Sequence, residues 1–213
     1  MKHTMIIAAL AATMTASAQL HISTPTTSLL LNAEPGERFE YMYYGAALAD
    51  TDIPAVAEAE KHVDAYPVYG MDTFNAYTLA ATHADGSMAT DMRVDKVSES
   101  TDKDGSKVTR VSLKDTLYPF YIDVCYRTWP ACDVIETWTE IRHNENKAVT
   151  LTEFPSAYLP VRRGNVWLSH IDGAWGNEGH LTHEPLTPGI KTIRNIDGAR
   201  NSQNAHSEIM LSL

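Results

Sequence analysis

Two cysteines and no cluster of lysine or arginine occur in the 213 residues of this sequence. Its 17 basic side chains face 27 acidic ones, a formal net charge of −10. An acidic chain without a basic patch has no electrostatic footprint for phosphate backbones or anionic lipid, so neither nucleic acid nor a membrane surface is expected as a partner. There is also no glycine-rich phosphate loop and no Gly-x-Ser-x-Gly elbow, which removes the signatures of nucleotide binding and of the serine hydrolases. A (β/α)8 barrel takes roughly 250 residues, more than this chain can supply beside anything else. An enzyme here would have to be small or incomplete. No internal repeat, low-complexity stretch or linker divides the chain, which reads as one domain.

The one long apolar run is N-terminal. Lys2 and His3 precede the segment from Met5 to Met14, and Ala16-Ser17-Ala18 closes it in the small-x-small pattern read by signal peptidase before Gln19. A membrane-spanning helix needs about 20 apolar residues, and the threonines and the Ala-Ser-Ala end intrude too early for one. Residues 1–18 are therefore read as a secretory signal peptide and residues 19–213 as the exported domain. No cysteine follows the cleavage site, so no lipid anchor is expected there. Export places Cys125 and Cys132 in an oxidising compartment. With Trp129-Pro130 between them a hairpin could bring them together, and two buried free thiols are equally compatible with the spacing.

What the exported part does contain is a period of two. Phe120, Ile122, Val124 and Tyr126 alternate with Tyr121, Asp123, Cys125 and Arg127, which predicts one face in a core and one mixed face. Val111 and Leu113 alternate with Arg110 and Ser112 in the same way. Four Asp-Gly pairs, at 85-86, 104-105, 172-173 and 197-198, suit the left-handed positions of hairpin turns, and Glu34-Pro35-Gly36-Glu37 adds another turn. Only Pro54 to His62 reads as helix, one or two turns at most. The expected fold is all-β, a large antiparallel sandwich with at most short helices.

Candidate chemistry is sparse. His180 and His183, in the run His180-Leu-Thr-His183-Glu184, have a spacing that invites a metal, but the run is read as a Gly/Pro-rich loop with no further ligand nearby and its histidines as surface side chains. No metal and no cofactor are expected. A two-carboxylate glycosidase needs its pair about 5–5.5 Å apart, or wider for inversion, and no pair is singled out by the sequence. Trp167 and Trp175 flank a His-Ile-Asp-Gly-Ala stretch. A tryptophan at a loop edge can stack on a sugar ring, although packing in or around a β core is the reading favoured by composition.

The order of several short motifs carries further. Tyr44-Gly45, Tyr66-Pro67-Val68-Tyr69-Gly70, His83-Ala84-Asp85-Gly86-Ser87 and Asp91-Met92-Arg93 resemble the opening of family 36 glycoside hydrolases, chiefly α-galactosidases. The likeness continues through Tyr118-Pro119-Phe120-Tyr121, Asp133-Val134-Ile135-Glu136, Ile141-Arg142-His143-Asn144-Glu145, Asp172-Gly173-Ala174-Trp175 and Leu186-Thr187-Pro188-Gly189-Ile190. It is similar above all to versions from gut bacteria of the Bacteroides kind, which would fit a periplasmic address in a Gram-negative cell.

The resemblance implies a galactose-mutarotase-like β-supersandwich over residues 19–213, the part that precedes a barrel carrying both catalytic aspartates. It implies that this chain lacks that barrel and hydrolyses nothing alone, and that its partners are an α-galactoside or oligosaccharide, contacted weakly or indirectly, and a catalytic barrel or sister subunit. A loop after the Tyr-Pro-x-Tyr-Gly motif reaches the sugar pocket in this family through an Asp and an Arg two residues later. The matching positions here are Thr73 and Asn75, with Asp72 one residue early. Asp72 and Asn75 are thus carried over as sugar-side residues, Asn keeping hydroxyl bonding but not the bidentate donor. Trp175 is expected to pack at an interdomain or subunit surface. A free-standing galactoside-binding module, an assembly domain and a mutarotase-like enzyme stay open as alternatives.

Overall fold

The computed structural model describes residues 19–59, 62–72, 76–161, 164–195 and 204–212. They fall into two compact units, Met1–Pro160 and Val161–Leu213.

The first unit is built on two antiparallel sheets. One has the order β1 (Gln19–Ser23), β2 (Thr27–Asn32), β3 (Glu40–Ala46) and β4 (Val63–Asp64). The other has the order β6 (Met92–Thr101), β7 (Lys107–Asp115), β8 (Phe120–Thr128) and β9 (Ile135–His143). A short pair, β5 (Ala80–Thr82) with β10 (Thr150–Glu153), and one helix, α1 (Ile53–Ala59), complete it. Sequential strands pair in both large sheets, most through short connections and β3 with β4 across the segment that carries α1.

The expected alternation places the core. Phe120, Ile122 and Val124 of β8 are buried beside Val111 and Leu113 of β7 and Val94 of β6, and they pack with Leu29, Leu31 and Phe39 from the first sheet side. Burying such side chains stabilises by roughly 1.5–3 kcal/mol each. Leu30 points the other way, where Met42 and Ala57 of α1 cover it. Thus β2 reads Leu-Leu-Leu because the helix seals its outer face. Pro54 sits near the start of α1, where its missing N–H costs nothing.

The mixed face of β8 is more enclosed than alternation suggests. Asp123 and Cys125 are buried on it. Arg110 and Arg142 each donate to Asp123 Oδ2, at 3.0 and 3.1 Å, and Arg110 also grips Glu140 with both Nη atoms at 2.8 and 2.9 Å. Two arginines and a glutamate therefore roof a carboxylate that hydrophobicity alone would leave in solvent.

Cys125 is buried and Cys132 exposed, and neither is disulfide-bonded. The ladder explains this. Thr128 opposite Ile135 is the last pair before the turn that holds Cys132, while Cys125 lies three pairs back opposite Trp138. At about 3.3 Å per residue that is roughly 10 Å, beyond disulfide reach. The expectation of two buried thiols fails equally, because Cys132 belongs to the turn.

Asp104-Gly105 turns the chain between β6 and β7, Gly105 having φ +81°, and Asp85-Gly86 forms a second turn. Asp172-Gly173 does not. In the second unit it lies inside β11 (Trp167–Ala174), which is the central strand between β12 (Asn177–Pro185) and β13 (Ala205–Ser212). A bulge follows Asp172, and the turn is made instead at Trp175-Gly176, with Gly176 at φ +69°. The Gly173 N–H donates to the Asn204 carbonyl at 2.8 Å, which keeps that residue in the ladder. Asp197-Gly198 lies outside the described residues. His180, His183 and Glu184 sit on β12, a strand, where a loop is expected from the flanking Gly and Pro.

Candidate functional site

The Tyr66-Pro67-Val68-Tyr69-Gly70 motif lies beside Tyr77-Thr78-Leu79, the two segments running parallel where they bridge. Val68 and Leu79 are fully buried and bridge one another. The Tyr69 N–H donates to the Leu79 carbonyl at 2.7 Å, and both the N–H and hydroxyl of Thr78 donate to the Pro67 carbonyl, at 2.7 and 2.6 Å. Above these ties Tyr69 and Tyr77 meet edge to face, 5.3 Å between centroids at 83°, each still partly exposed. Such pairs contribute roughly 0.5–1.5 kcal/mol beyond area burial.

Gly70 is required where the first segment leaves the core. Its φ is +101°, and a Cβ there would stand 2.5 Å from the Thr90 nitrogen and 2.8 Å from Ala89 Cα. No other side chain fits both the conformation and the space.

Asp72 follows, exposed. Its backbone carbonyl accepts from Arg38 Nη1 at 3.2 Å, and the same guanidinium lies 3.8 Å from Asp64. The Asp72 carboxylate itself has no hydrogen bond or ion pair among the described residues. Thr73 and Asn75 lie outside the described residues. A carboxylate with no partner among the described residues is an acceptor available to a hydroxyl or amine. Arg38 and Tyr77, which contact Asp72 and Tyr69, lie outside every motif, and only the folded chain brings them there.

Three further motifs converge elsewhere in the same unit. The side chains of His83 and Glu145 are buried, with His83 Nδ1 2.8 Å from Glu145 Oε1 and Nε2 3.0 Å from the Thr90 hydroxyl. Glu145 Oε2 accepts the Ala84 N–H at 2.8 Å. Burial works to raise the Glu145 carboxyl, but the Ala84 N–H and the His83 ring outweigh it and hold the group below its ordinary range. Tyr118 stacks on the His83 ring at 3.8 Å, and its hydroxyl donates to Asp85 at 2.9 Å. The His83 and Glu145 polar atoms are spent on each other and on their neighbours. The pair fastens loops together and offers no free acid or base to a substrate.

In the second unit Trp167 stacks on His183, centroids 4.8 Å apart, and Ser169 Oγ lies 2.8 Å from His183 Nδ1. Trp175 occupies the tip of the β11–β12 hairpin and is 79% exposed. Leu181, Ile190, Ile209 and Met210 are exposed as well. No group of three or more metal-ligating side chains forms among the described residues.

Residues 37–212 match the family model of the glycosyl hydrolase family 36 N-terminal domain. Comparison with curated protein sequences gives no match. Among solved structures, the chain is similar to the α-galactosidase AgaA from Geobacillus stearothermophilus, at 18% identity and a TM-score of 0.78, over 91% of this chain and 31% of that one. It is similar to AgaB of the same organism at 17% identity and a TM-score of 0.79, over 95% and 32%. An α-galactosidase from Lactobacillus brevis matches at 21% identity and a TM-score of 0.75, over 91% and 30%. This chain thus spans about a third of the length of these enzymes, and at such identities the likeness establishes the fold.

Proposed function

The chain belongs to the glycosyl hydrolase family 36 N-terminal domain family, and from that premise we propose that it is the non-catalytic, carbohydrate-associated part of an α-galactosidase. In this reading it presents Asp72 to a sugar held by a catalytic barrel or a sister subunit, and it packs on that partner. The observation that carries the reading is the exposed Asp72 carboxylate, without a hydrogen bond or ion pair among the described residues, next to the tied segments 66–70 and 77–79. Support for the packing role comes from the second unit, where Trp175, Leu181, Ile190 and Met210 leave apolar surface in solvent. Where such side chains form one contiguous patch, they mark an interaction site. We further place the exported chain in the periplasm, on the strength of residues 1–18.

Two measurements test the proposal. A chromogenic α-galactoside assay of the full chain alone should show no turnover above blank, and turnover would overturn the non-catalytic reading. Gel filtration of the full chain with a separately prepared family 36 barrel should give a joint peak. Two separate peaks would overturn the packing role.

A further inference from the structure

A shallow cleft of about 340 Å³ lies in the first unit, lined by Asp85, Tyr118, Asn144, Asn146 and Lys147, with Glu145 at its floor. Its volume falls at the lower end of the roughly 300–1,000 Å³ typical of small-molecule sites. Its framework is rigid. Tyr118 is held by ring stacking on the buried His83, by its hydroxyl bond to Asp85, and by its N–H bond to Asp115 at 2.7 Å. Asp85 is fixed in turn by the Ser87 N–H at 2.9 Å, and the Asn144 N–H is tied to the Pro119 carbonyl at 2.8 Å.

On this frame stand three exposed side chains without partners among the described residues, the amides of Asn144 and Asn146 and the ammonium of Lys147. The cleft therefore offers a carboxylate acceptor, two amides that both donate and accept, a cationic donor and an aromatic ring. A phosphate or carboxylate ligand would meet Asp85, and a metal cation would meet Lys147. A neutral polyhydroxylated ring needs donors and acceptors in alternation and an apolar face to lie against. We propose that this cleft is a saccharide-binding site for a neutral mono- or disaccharide unit, separate from the loop that carries Asp72.

The test is an NMR titration of the full chain, isotope-labelled, with galactose, glucose and melibiose at millimolar concentration, and with inorganic phosphate as the anionic probe. At least one of the sugars should shift the resonances of Asp85, Tyr118 and residues 144–147. The double variant Asn146→Ala/Lys147→Ala removes two unpartnered side chains and should weaken that binding roughly tenfold or more, since each lost bond to a bound ligand is worth a sizeable part of that factor. Its unfolding temperature should be unchanged. If the double variant does unfold more readily, Asp85→Asn in the otherwise intact chain makes the same test, because it removes the charged acceptor and keeps the shape. An Asp72→Ala variant should bind as the parent does. No shift at the cleft with any sugar, shifts confined to residues 69–77, or a response to phosphate alone would each overturn the proposal.

Discussion

Glu145 joins His83 across 62 residues of chain, one carboxylate oxygen lying 2.8 Å from the imidazole Nδ1 while the other takes the Ala84 N–H. A carboxylate only accepts, so Nδ1 carries the proton, and Nε2 is left to face the Thr90 hydroxyl. Three loops are fastened by two side chains. Glu145→Ala leaves a buried imidazole N–H and a backbone N–H without acceptors, and it should cost roughly 2–5 kcal/mol in urea unfolding. Glu145→Gln keeps an acceptor and should cost clearly less. Equal midpoints for Ala and parent would show that the pair holds nothing.

Gly70→Ala should be among the most damaging single-methyl additions in the chain. The positive φ alone is expected to cost on the order of 1–3 kcal/mol. The added Cβ also meets the backbone of Ala89 and Thr90, which cannot swing aside as a side-chain end would. By contrast Gly36→Ala, with φ +87° and open space around it, should show only the conformational part. Thermal melts of the two variants make the comparison.

Thiol chemistry should separate the cysteines. Cys132 is exposed, whereas Cys125 is buried and its thiol is pushed up to about 11 by loss of solvent. Labelling of the native protein with iodoacetamide, read by mass spectrometry, should modify Cys132 alone, and both residues after denaturation. Modification of Cys125 in the native state would contradict the placement of β8.

Acid should destabilise the protein through its bound carboxylates. Glu140 is held at about 2, from an ordinary 4.5, chiefly by its hydrogen bonds from Arg110, and Glu145 is lowered as well. A group lowered on folding contributes fully above its unfolded value and loses that contribution as pH falls through the folded one. Urea midpoints should therefore drop between about pH 5 and about pH 2. His62 works in the opposite sense: burial lowers it, but the Ala57 carbonyl and Glu40 prevail and raise it. Its contribution is present in full below the ordinary imidazole value and fades as pH rises through the raised one. Removing the guanidinium that holds Glu140, with Arg110→Ala, should flatten the acid limb.

Processing should leave Gln19 as the first residue of the exported protein. N-terminal sequencing of periplasmic material reads this directly, and recovery of Met1 in that fraction would refute the signal-peptide reading.

The strands were the most legible part of the sequence. Phe120 to Tyr126 show their inner face by spacing alone, and Asp104-Gly105 marks its own turn. The order of short motifs pointed to the family before any contact was known. Long-range pairing was not legible. Nothing local tells that Arg38 reaches the carbonyl of Asp72, or that Glu145 closes on His83, because each partner is chosen by the packed sheets. Asp172-Gly173 misleads for a related reason. Its turn preference is local, and it yields to the ladder with β13 and to a competing glycine three residues on. Asn146 and Lys147 are ordinary surface residues in sequence, and only the cleft beside Tyr118 gives them a shared setting.

The Thr26 hydroxyl in the turn between β1 and β2 donates to Asp133, 107 residues later, with Thr24 and Thr27 joining the same carboxylate. Closing so long a segment costs chain entropy before any contact repays it, and folds built on such contacts are slow to form. While the first half of the chain is being made, the leading hairpin already has β3 beside it, but its turn waits for Asp133.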